Sequence, residues 1–352
     1  MSQRKVAIVL FNLGGPDSPA AVRPFLFNLF NDRRIIAAPA PVRFAIAALI
    51  STTRAKLARA NYALMGGRSP ILPETEAQAK ALQERLAQSE TTLFRVFVAM
   101  RHWKPFAGET AAAVRAWGAD ETVLLPLYPQ FSTTTTASAD EAWRRAHAGP
   151  TRTVCCYPAN TQLARAHADA IENAWRNAGS PDNPRVLFSA HGLPQRVVDA
   201  GDPYQWQVER SAAAVSALLP AAWEKSLCYQ SRVGPLKWLG PSTLEALEEA
   251  GADKRGVIVS PIAFVSEHIE TLVELDIEYG EKARELGLPF YIRAPALGVS
   301  DIFIDGLAAL VRKALLRDCG VFSETGGRLC PDRFGACPMK TAAATRMERE
   351  AA

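Results

Sequence analysis

Long hydrophobic runs are missing from this sequence, and so is the apolar core of a signal peptide. The longest candidate for a membrane span, residues 44–50, is far shorter than the roughly 20 apolar residues that a spanning helix needs. The first apolar run, residues 6–11, is followed by Gly-Gly-Pro instead of a small-residue cleavage site, which indicates a buried strand. These absences predict a cytoplasmic protein.

A strong excess of either charge is also missing. The 352 residues include 40 Lys and Arg against 36 Asp and Glu, which gives a formal net charge of +4 at pH 7. The basic residues are scattered along the chain, so the electrostatic footprint of a nucleic-acid-binding protein is absent. Hydrophobic residues make up 48% of the chain, and this content predicts a globular protein with a core.

Cysteine is scarce, with six residues in the chain. Because the cytosol keeps thiols reduced, these cysteines are expected to be core residues, metal ligands or spare thiols, and not a disulfide framework. Cys228 lies in an apolar run and is expected in the core.

Short apolar runs alternate with helix-like segments, which is the pattern of a parallel sheet covered by helices. Residues 95–132 and residues 226–267 resemble each other, so the chain is predicted to form two similar Rossmann-like α/β domains with a crevice between them. The predicted strands are residues 6–11, 93–100, 122–127, 186–189, 226–230 and 256–261. The predicted domains are residues 1–158 and 159–300, with a final helix at 301–318 that packs on the first domain and a cysteine-containing tail at 319–352.

Polar residues follow the predicted strands, at the edge where open α/β sheets bind ligands. The loop at residues 127–138 also carries a run of hydroxyl groups, which suits carboxylates or phosphates. The polar residues after the strands are Asn12, Arg101, His102, Tyr128, His191, Gln230, Arg232, Ser266 and Glu267.

The segment SEHIETLVELDIEY, residues 266–279, concentrates acidic side chains. At about 100° per residue, Glu267, Glu270, Glu274 and Glu278 fall on one face of an α-helix. Such a row is most often a solvated surface. Here the acids are not interleaved with Lys or Arg and His268 lies among them, so the row is also suited to attract a divalent cation and relay protons.

His191 ends the apolar run VLFSA and precedes a Gly-Leu-Pro turn. A lone histidine is more often structural than catalytic. This chain has only five histidines, however, and two of them follow predicted strands. A neutral imidazole at this edge of the sheet can accept a proton near neutral pH.

Residues 22–32 and 41–52 form two apolar segments separated by an Ala- and Pro-rich linker. Helical periodicity favours amphipathic helices that complete the core of the first domain. The alternative is an apolar lip over a flat substrate, which would also let the protein lie against the inner face of the cell membrane.

The chain contains, in this order, the strings VAIVLFNLGGPDSP, GGRSPI, VAMRHWKP, LYPQFSTTTT, FSAHGLP, GDPY, YQSRVGPLKWLGPST and PIAFVSEHIETLVELDIEYG. Together these strings resemble the motifs of the ferrochelatases. The resemblance runs from residue 6 to about residue 296 and implies two Rossmann-like halves with a porphyrin cleft between them. It further implies insertion of ferrous iron into protoporphyrin IX to give protohaem, the last step of haem synthesis.

Three alternatives stay open beside this reading. The first is the same chemistry on coproporphyrin, which the apolar lip disfavours. The second, of a different class, is a non-catalytic protein that binds haem or porphyrin, and the third is a cobalt or nickel chelatase. The sequence leaves a monomer and a homodimer equally open.

The resemblance implies roles for individual residues. His191 and Glu270 match the catalytic pair, and these two together with Glu267, His268 and Glu274 match the path of the metal. His102 stands where tyrosine is common, so a porphyrin contact at that position is in doubt. The residues that match positions holding the macrocycle or its propionates are Ile36, Arg101, Tyr128 and Trp238.

Some ferrochelatases carry a 2Fe-2S cluster, and the resemblance implies one here on Cys156, Cys319, Cys330 and Cys337. The alternative is a flexible tail with spare thiols. Ten residues separate the first two late cysteines and six separate the next two, whereas cluster loops usually place two cysteines closer together. Pro338 and Met339 follow where a further cysteine would be expected.

Overall fold

The computed structural model describes residues 3–87, 91–232 and 234–339. Within these ranges the chain forms two parallel β-sheets covered by helices. The strands are β1 Arg4–Asn12, β2 Thr92–Met100, β3 Glu121–Pro126, β4 Arg152–Cys156, β5 Arg185–His191, β6 Glu224–Gln230, β7 Val257–Pro261, β8 Tyr291–Arg293 and β9 Gly320–Ser323. The α-helices are α1 Val22–Phe30, α2 Ala40–Ala63, α3 Ile71–Leu86, α4 Ala107–Trp117, α5 Thr136–Ala146, α6 Thr161–Asn177, α7 Gln195–Asp199, α8 Tyr204–Ser216, α9 Thr243–Ala252, α10 Tyr279–Glu285 and α11 Asp301–Leu315.

The two sheets repeat one topology. The first sheet has the order β2-β1-β3-β4-β9 and the second has the order β6-β5-β7-β8, with all pairs parallel. Without β9, both sheets therefore run second, first, third and fourth strand of their half. The predicted fold class of two similar Rossmann-like domains is confirmed.

The central strands are buried along most of their length because helices cover both faces of each sheet. In β1, residues 6–12 are all buried, and the five residues of β7 are buried as well. All six predicted strands are present. The three that the sequence did not reveal are β4, β8 and β9, which are three to five residues long and have polar residues or glycine at their ends in place of a continuous apolar run.

Helix α11 packs against the first sheet. Phe303, Leu307 and Leu310 share a buried cluster with Ile8 and Leu10 of β1. The predicted domain boundary at residues 158/159 lies between β4 and α6, and it stays a prediction.

The C-terminal segment does not hang free. Strand β9 pairs with β4, and Phe334 then contacts the Trp206 ring in α8 of the second half. The rest of the predicted tail, residues 340–352, lies outside the described residues. No helix among the described residues is long and apolar enough to cross a membrane.

Candidate active site

His191 and Glu270 meet at the carboxyl edge of the second sheet. His191 is the last residue of β5, and Glu270 begins the segment that follows β7. Their atoms Nε2 and Oε1 are 3.6 Å apart, and the side chains are 36% and 22% exposed, so the pair is open to a ligand. Both residues belong to the second half of the chain and lie side by side. Neither lines the two surface cavities of about 460 and 360 Å³ found elsewhere on the described chain.

A second imidazole faces the same carboxylate. His268 Nε2 lies 3.5 Å from Glu270 Oε2, the oxygen that His191 does not face. The other ring nitrogens are occupied by backbone carbonyls, because Nδ1 of His191 is 2.6 Å from Gly192 O and Nδ1 of His268 is 3.1 Å from Ser266 O. A carbonyl oxygen can only accept, so each Nδ1 carries the proton and donates it. In both neutral rings the lone pair of Nε2 therefore points at Glu270.

The charge of Glu270 follows from this arrangement. Burial opposes ionisation of the carboxyl, but once the rings are protonated the charge of His191 and the hydrogen bond donated by His268 outweigh it and lower the pKa of Glu270 to about 2. A carboxylate between two Nε2 lone pairs is a group of acceptors with no proton to share. Such a site attracts protons or a cation.

Glu274 is a second carboxyl with a different environment. It accepts hydrogen bonds from Gln230 Nε2 at 3.0 Å and from the Ser231 amide at 2.7 Å. Burial and the nearby charge of Glu270 nevertheless raise its pKa. The site thus pairs one carboxyl that stays ionised with one that takes up a proton more readily, as in sites that use separate acid and base groups.

Glu267 is bound to an arginine and a backbone amide. Its Oε1 accepts from Arg293 Nη1 at 2.8 Å and from the Ala296 amide at 2.9 Å. Burial opposes its ionisation, and the ion pair with Arg293 outweighs this and lowers the pKa. Its assignment to the metal path stays a prediction, and the ion pair weighs against it.

The acidic segment forms a π-helix, Glu270–Glu278, and not the α-helix that the spacing of its acids suggested. A π-helix has i→i+5 hydrogen bonds and is rare outside functional sites. Its wider turn changes which side chains share a face, and Glu278 lies exposed while Glu270 and Glu274 are half-buried. The prediction of one continuous acidic face is therefore wrong for Glu267 and Glu278.

The turn after His191 brings Trp238 to the site. Pro194 and Trp238 form an isolated antiparallel bridge. The turn needs glycine at position 192, because a Cβ there would lie 2.9 Å from Gln230 O and 3.4 Å from the Trp238 ring. Trp238 thus lies against the turn that follows His191.

Three predicted substrate-binding residues gather around Asp32 in the first half. Arg101 Nη2 is 2.8 Å from Asp32 Oδ2, and the Ile36 amide donates to Asp32 O at 2.9 Å. Arg101 and Asp32 are both close enough to the Tyr128 hydroxyl to act on it electrostatically. This hydroxyl is buried without a hydrogen-bond partner. A buried hydroxyl left unpaired is a donor that a ligand can use.

His102 has no access to the cleft. Its side chain is fully buried beside Asp32, and burial with the nearby Arg101 lowers its pKa to about 3. The doubt about a porphyrin contact there was justified, since this histidine is a neutral core residue.

Tyr62 is a site residue that sequence reasoning missed. It lies buried in α2, and its pKa is raised by burial and by the charge of Glu270. Helix α2 of the first half therefore reaches close to the catalytic face of the second. The surrounding sequence, an Ala-rich helix, gives no signal for this contact.

The hydroxyl run binds a carboxylate that belongs to the protein itself. Asp202 Oδ2 accepts from the Thr133 amide at 2.7 Å, from Thr133 Oγ1 at 2.7 Å and from Ser132 Oγ at 3.0 Å. This loop of the first half is thereby fastened to the GDPY motif of the second.

Four of the six cysteines lie near one another. Cys155 and Cys156 have their sulfurs 3.4 Å apart, and Cys330 and Cys337 are hydrogen-bonded to each other. Cys319 is exposed at the opposite end of β9, and the structure does not bring it to this group. Cys228 is buried in β6, as expected. Among the described residues, no three His, Cys, Asp or Glu side chains are grouped to hold one metal ion.

Comparisons with known proteins agree with this architecture. A family model described as ferrochelatase matches residues 5–315. A ferrochelatase of Phenylobacterium zucineum (strain HLK1) is 60% identical over 336 residues, which cover 95% of this chain and 97% of that one. A ferrochelatase of Caulobacter vibrioides (strain NA1000 / CB15N) is 56% identical over 343 residues, which cover 97% and 99%.

Solved structures share the fold. SirB from Bacillus subtilis with Fe3+ superposes with a TM-score of 0.52 at 13% identity and covers 88% of this chain and 95% of that one. CbiX, described as the terminal enzyme of siroheme biosynthesis in denitrifying bacteria, gives a TM-score of 0.50 at 17% identity, with 88% and 99% covered. At such identities the likeness concerns the fold alone.

Proposed function

Because this chain belongs to the ferrochelatase family and is an enzyme that inserts iron into a porphyrin in haem synthesis, we propose that its porphyrin is protoporphyrin IX. We further propose that His191, Glu270 and His268 take up the two protons that the ring releases. The observation behind this role is that two imidazole Nε2 atoms face the two oxygens of one carboxylate, at 3.6 and 3.5 Å.

The proton balance matches the number of acceptors. Metal insertion breaks two pyrrole N–H bonds, and each electron pair stays on its nitrogen to bind iron. One proton goes to each Nε2, and the Glu270 carboxylate between the rings stabilises the imidazolium ions that form. Because both Nδ1 atoms donate to carbonyls, both rings are fixed in the tautomer that can accept.

The residues around this group are suited to hold the ring. We propose that Trp238 packs on the macrocycle beside His191, and that Ile36, Arg101 and Tyr128 bind it from the first half. Insertion needs a ring bent from planarity so that its nitrogen lone pairs face the metal. An enzyme lowers this barrier when it binds the bent ring better than the flat one. Ferrous iron is a substrate here, and a site with few protein ligands lets it pass on.

Two features favour protoporphyrin over the more carboxylated coproporphyrin. Arg33 and Arg34, next to the predicted lip, are already paired with Glu141 at 2.7 and 3.1 Å. The lip helix α2 exposes Val42 and Phe44 to solvent. Extra propionates would therefore meet engaged arginines and apolar side chains.

Anaerobic iron insertion measured with each porphyrin tests the substrate. We expect kcat/KM for protoporphyrin IX to exceed that for coproporphyrin by about tenfold or more, a difference of roughly 1.4 kcal/mol in transition-state binding. A preference for coproporphyrin would overturn the substrate assignment. Tight porphyrin binding without turnover by the wild-type chain would favour the non-catalytic binding protein.

The grouping of the cysteines favours a cluster site over the alternative of spare thiols. We propose that the chain holds a 2Fe-2S cluster where Cys156, Cys330 and Cys337 come together, since iron–sulfur clusters are bound by four cysteine thiolates. Leu329 and Met339, which flank the two late cysteines, pack against the buried cluster that contains Cys155 and Cys156, and this supports the proximity of the two groups. A bound cluster would tie the C-terminal segment to β4 through iron–sulfur bonds.

We also propose a peripheral contact between α2 and the membrane surface. Residues 33–73 contain seven Lys or Arg and no Asp or Glu. Basic residues beside exposed apolar side chains favour the surface of an anionic bilayer. The large apolar side chains that this segment exposes are Val42, Phe44, Leu49, Leu57 and Leu64.

A further inference from the structure

We infer that Cys155, and not Cys319, is the fourth ligand of the cluster site, with Cys155 and Cys156 on one iron and Cys330 and Cys337 on the other. The inference rests on the cluster proposed above and concerns which thiols of this chain form it. Two cysteine pairs are what a 2Fe-2S centre needs, because each iron takes two thiolates besides the bridging sulfides.

The backbone explains how two consecutive cysteines can face one ion. Val154 pairs with Phe322 of β9 and Cys156 pairs with Ser323, so Cys155 is the extra residue of a β-bulge. In a regular strand successive side chains point to opposite faces, whereas a bulge redirects the side chain of the extra residue. The two sulfurs are 3.4 Å apart. Two thiolates bound tetrahedrally to one metal at about 2.3 Å would be about 3.8 Å apart, so a small adjustment suffices.

The second pair is carried by a loop that one arginine organises. Arg328 donates to the carbonyls of Cys330 and Phe334 at 2.9 and 3.0 Å, and it also bonds the Met339 carbonyl. This wraps the segment from Cys330 to Met339 around the guanidinium. The Arg328 guanidinium thus lies inside the loop that carries Cys330 and Cys337, where it is a counter-ion for the negative charge that four thiolates and the cluster would carry.

Two further observations favour cysteine sulfurs that bind iron at this site. Gln207 of α8 donates its Nε2–H to Cys330 Sγ at 3.1 Å, and hydrogen bonds of this type to ligand sulfurs tune iron–sulfur centres. Cys155 and Pro338 line a surface cavity of about 360 Å³, which gives iron and sulfide a route to the buried first pair. Assembly from two ferric ions and two sulfide ions releases the four thiol protons to solvent as four iron–thiolate bonds form, and because the iron is already ferric it requires no electron transfer.

Cys319 is poorly placed for this role. Gly320 pairs with Arg152, four residues before Cys156 along β4, so Cys319 lies roughly 13 Å from the cysteine pairs at about 3.3 Å per strand residue. Met339 packs against Cys155 and Cys156, but a thioether lacks the negative charge that a cluster ligand supplies.

Anaerobic purification of the full chain tests the assignment by its iron, acid-labile sulfide, visible absorption and the EPR signal after reduction. We expect roughly two iron and two sulfide per wild-type chain. Cys155→Ser should lose at least about four-fifths of both, while Cys319→Ser and Met339→Leu keep the wild-type content. Cys228→Ser, which also buries a hydroxyl in a strand, is the matched control and should keep it too.

The outcomes separate the inference from the proposals before it. Wild-type content in Cys155→Ser, or its loss in Cys319→Ser, would overturn the ligand assignment and leave the cluster standing. A wild-type chain without iron and sulfide would overturn the cluster and this assignment together, whatever its iron-insertion activity. If Cys155→Ser loses its metal, far-UV circular dichroism identical to that of Cys228→Ser shows that the loss is not misfolding.

Discussion

At the scale of single residues, the sequence indicates which residues are functional better than it indicates which of them lie next to each other. His191 and Glu270 stand in motifs that indicate their chemistry. That they lie side by side on one sheet edge follows only from the pairing of β5 with β7, which brings distant segments together. Tyr62 and the ion pair of Glu267 with Arg293 depend in the same way on contacts far apart in sequence, which local pattern does not encode.

His167 gives a prediction about stability and pH. It is buried in α6 without a hydrogen-bond partner for either ring nitrogen, and burial lowers its pKa to about 3. Because the unfolded chain binds this proton near pH 6.5, the stability present above pH 6.5 is lost progressively as the pH falls toward 3. Between pH 7.5 and 5 this residue should cost about 2 kcal/mol of the free energy of unfolding.

Denaturant unfolding of the wild type and His167→Leu at both pH values checks this. The variant should lose about 2 kcal/mol less than the wild type on acidification, whatever its stability at pH 7.5. Equal losses in the two proteins would show that His167 is not held neutral by burial.

At the scale of elements, the long apolar strands were predictable because seven consecutive buried residues, as in β1, leave few other interpretations. The π-helix was not, because the spacing of Glu270 and Glu274 fits one face of an α-helix equally well. The bulge at Cys155 depends on β9, a four-residue strand that is defined only by its pairing with β4.

Helix α2 gives a prediction about membrane contact. We expect the wild-type chain to sediment with vesicles rich in phosphatidylglycerol and not with phosphatidylcholine vesicles, because binding combines apolar burial with anionic attraction. Phe44 and Leu49 are 57% and 65% exposed, so the double variant Phe44→Ser, Leu49→Ser should bind at least about threefold less.

Leu316→Ser is the control, since this side chain is 86% exposed at the end of α11 and outside the basic segment. It should sediment as the wild type does. Equal binding by the double variant and the control would contradict a role for α2.

At the scale of the whole molecule, the repeat between residues 95–132 and 226–267 was sufficient to predict two similar halves, because similar strand patterns indicate similar folds. Fastening the halves together uses scattered groups, such as Asp202 with Thr133 and Gln207 with Cys330. The first contact joins two loops, one from each half, and the second joins α8 to the late segment that carries Cys330. Their positions emerge only when both sheets are folded.

The central claim is that His191 and His268 accept the porphyrin protons on either side of Glu270. Its most direct test is the kcat of anaerobic iron insertion, with porphyrin affinity measured in parallel. His191→Ala should lower kcat by at least about 100-fold, the range of general base catalysis, and His268→Ala by about tenfold or more. Both variants should still bind porphyrin, and His147→Ala, at the end of α5, should insert iron as the wild type does. A His191→Ala variant that inserts iron at the wild-type rate would contradict the account.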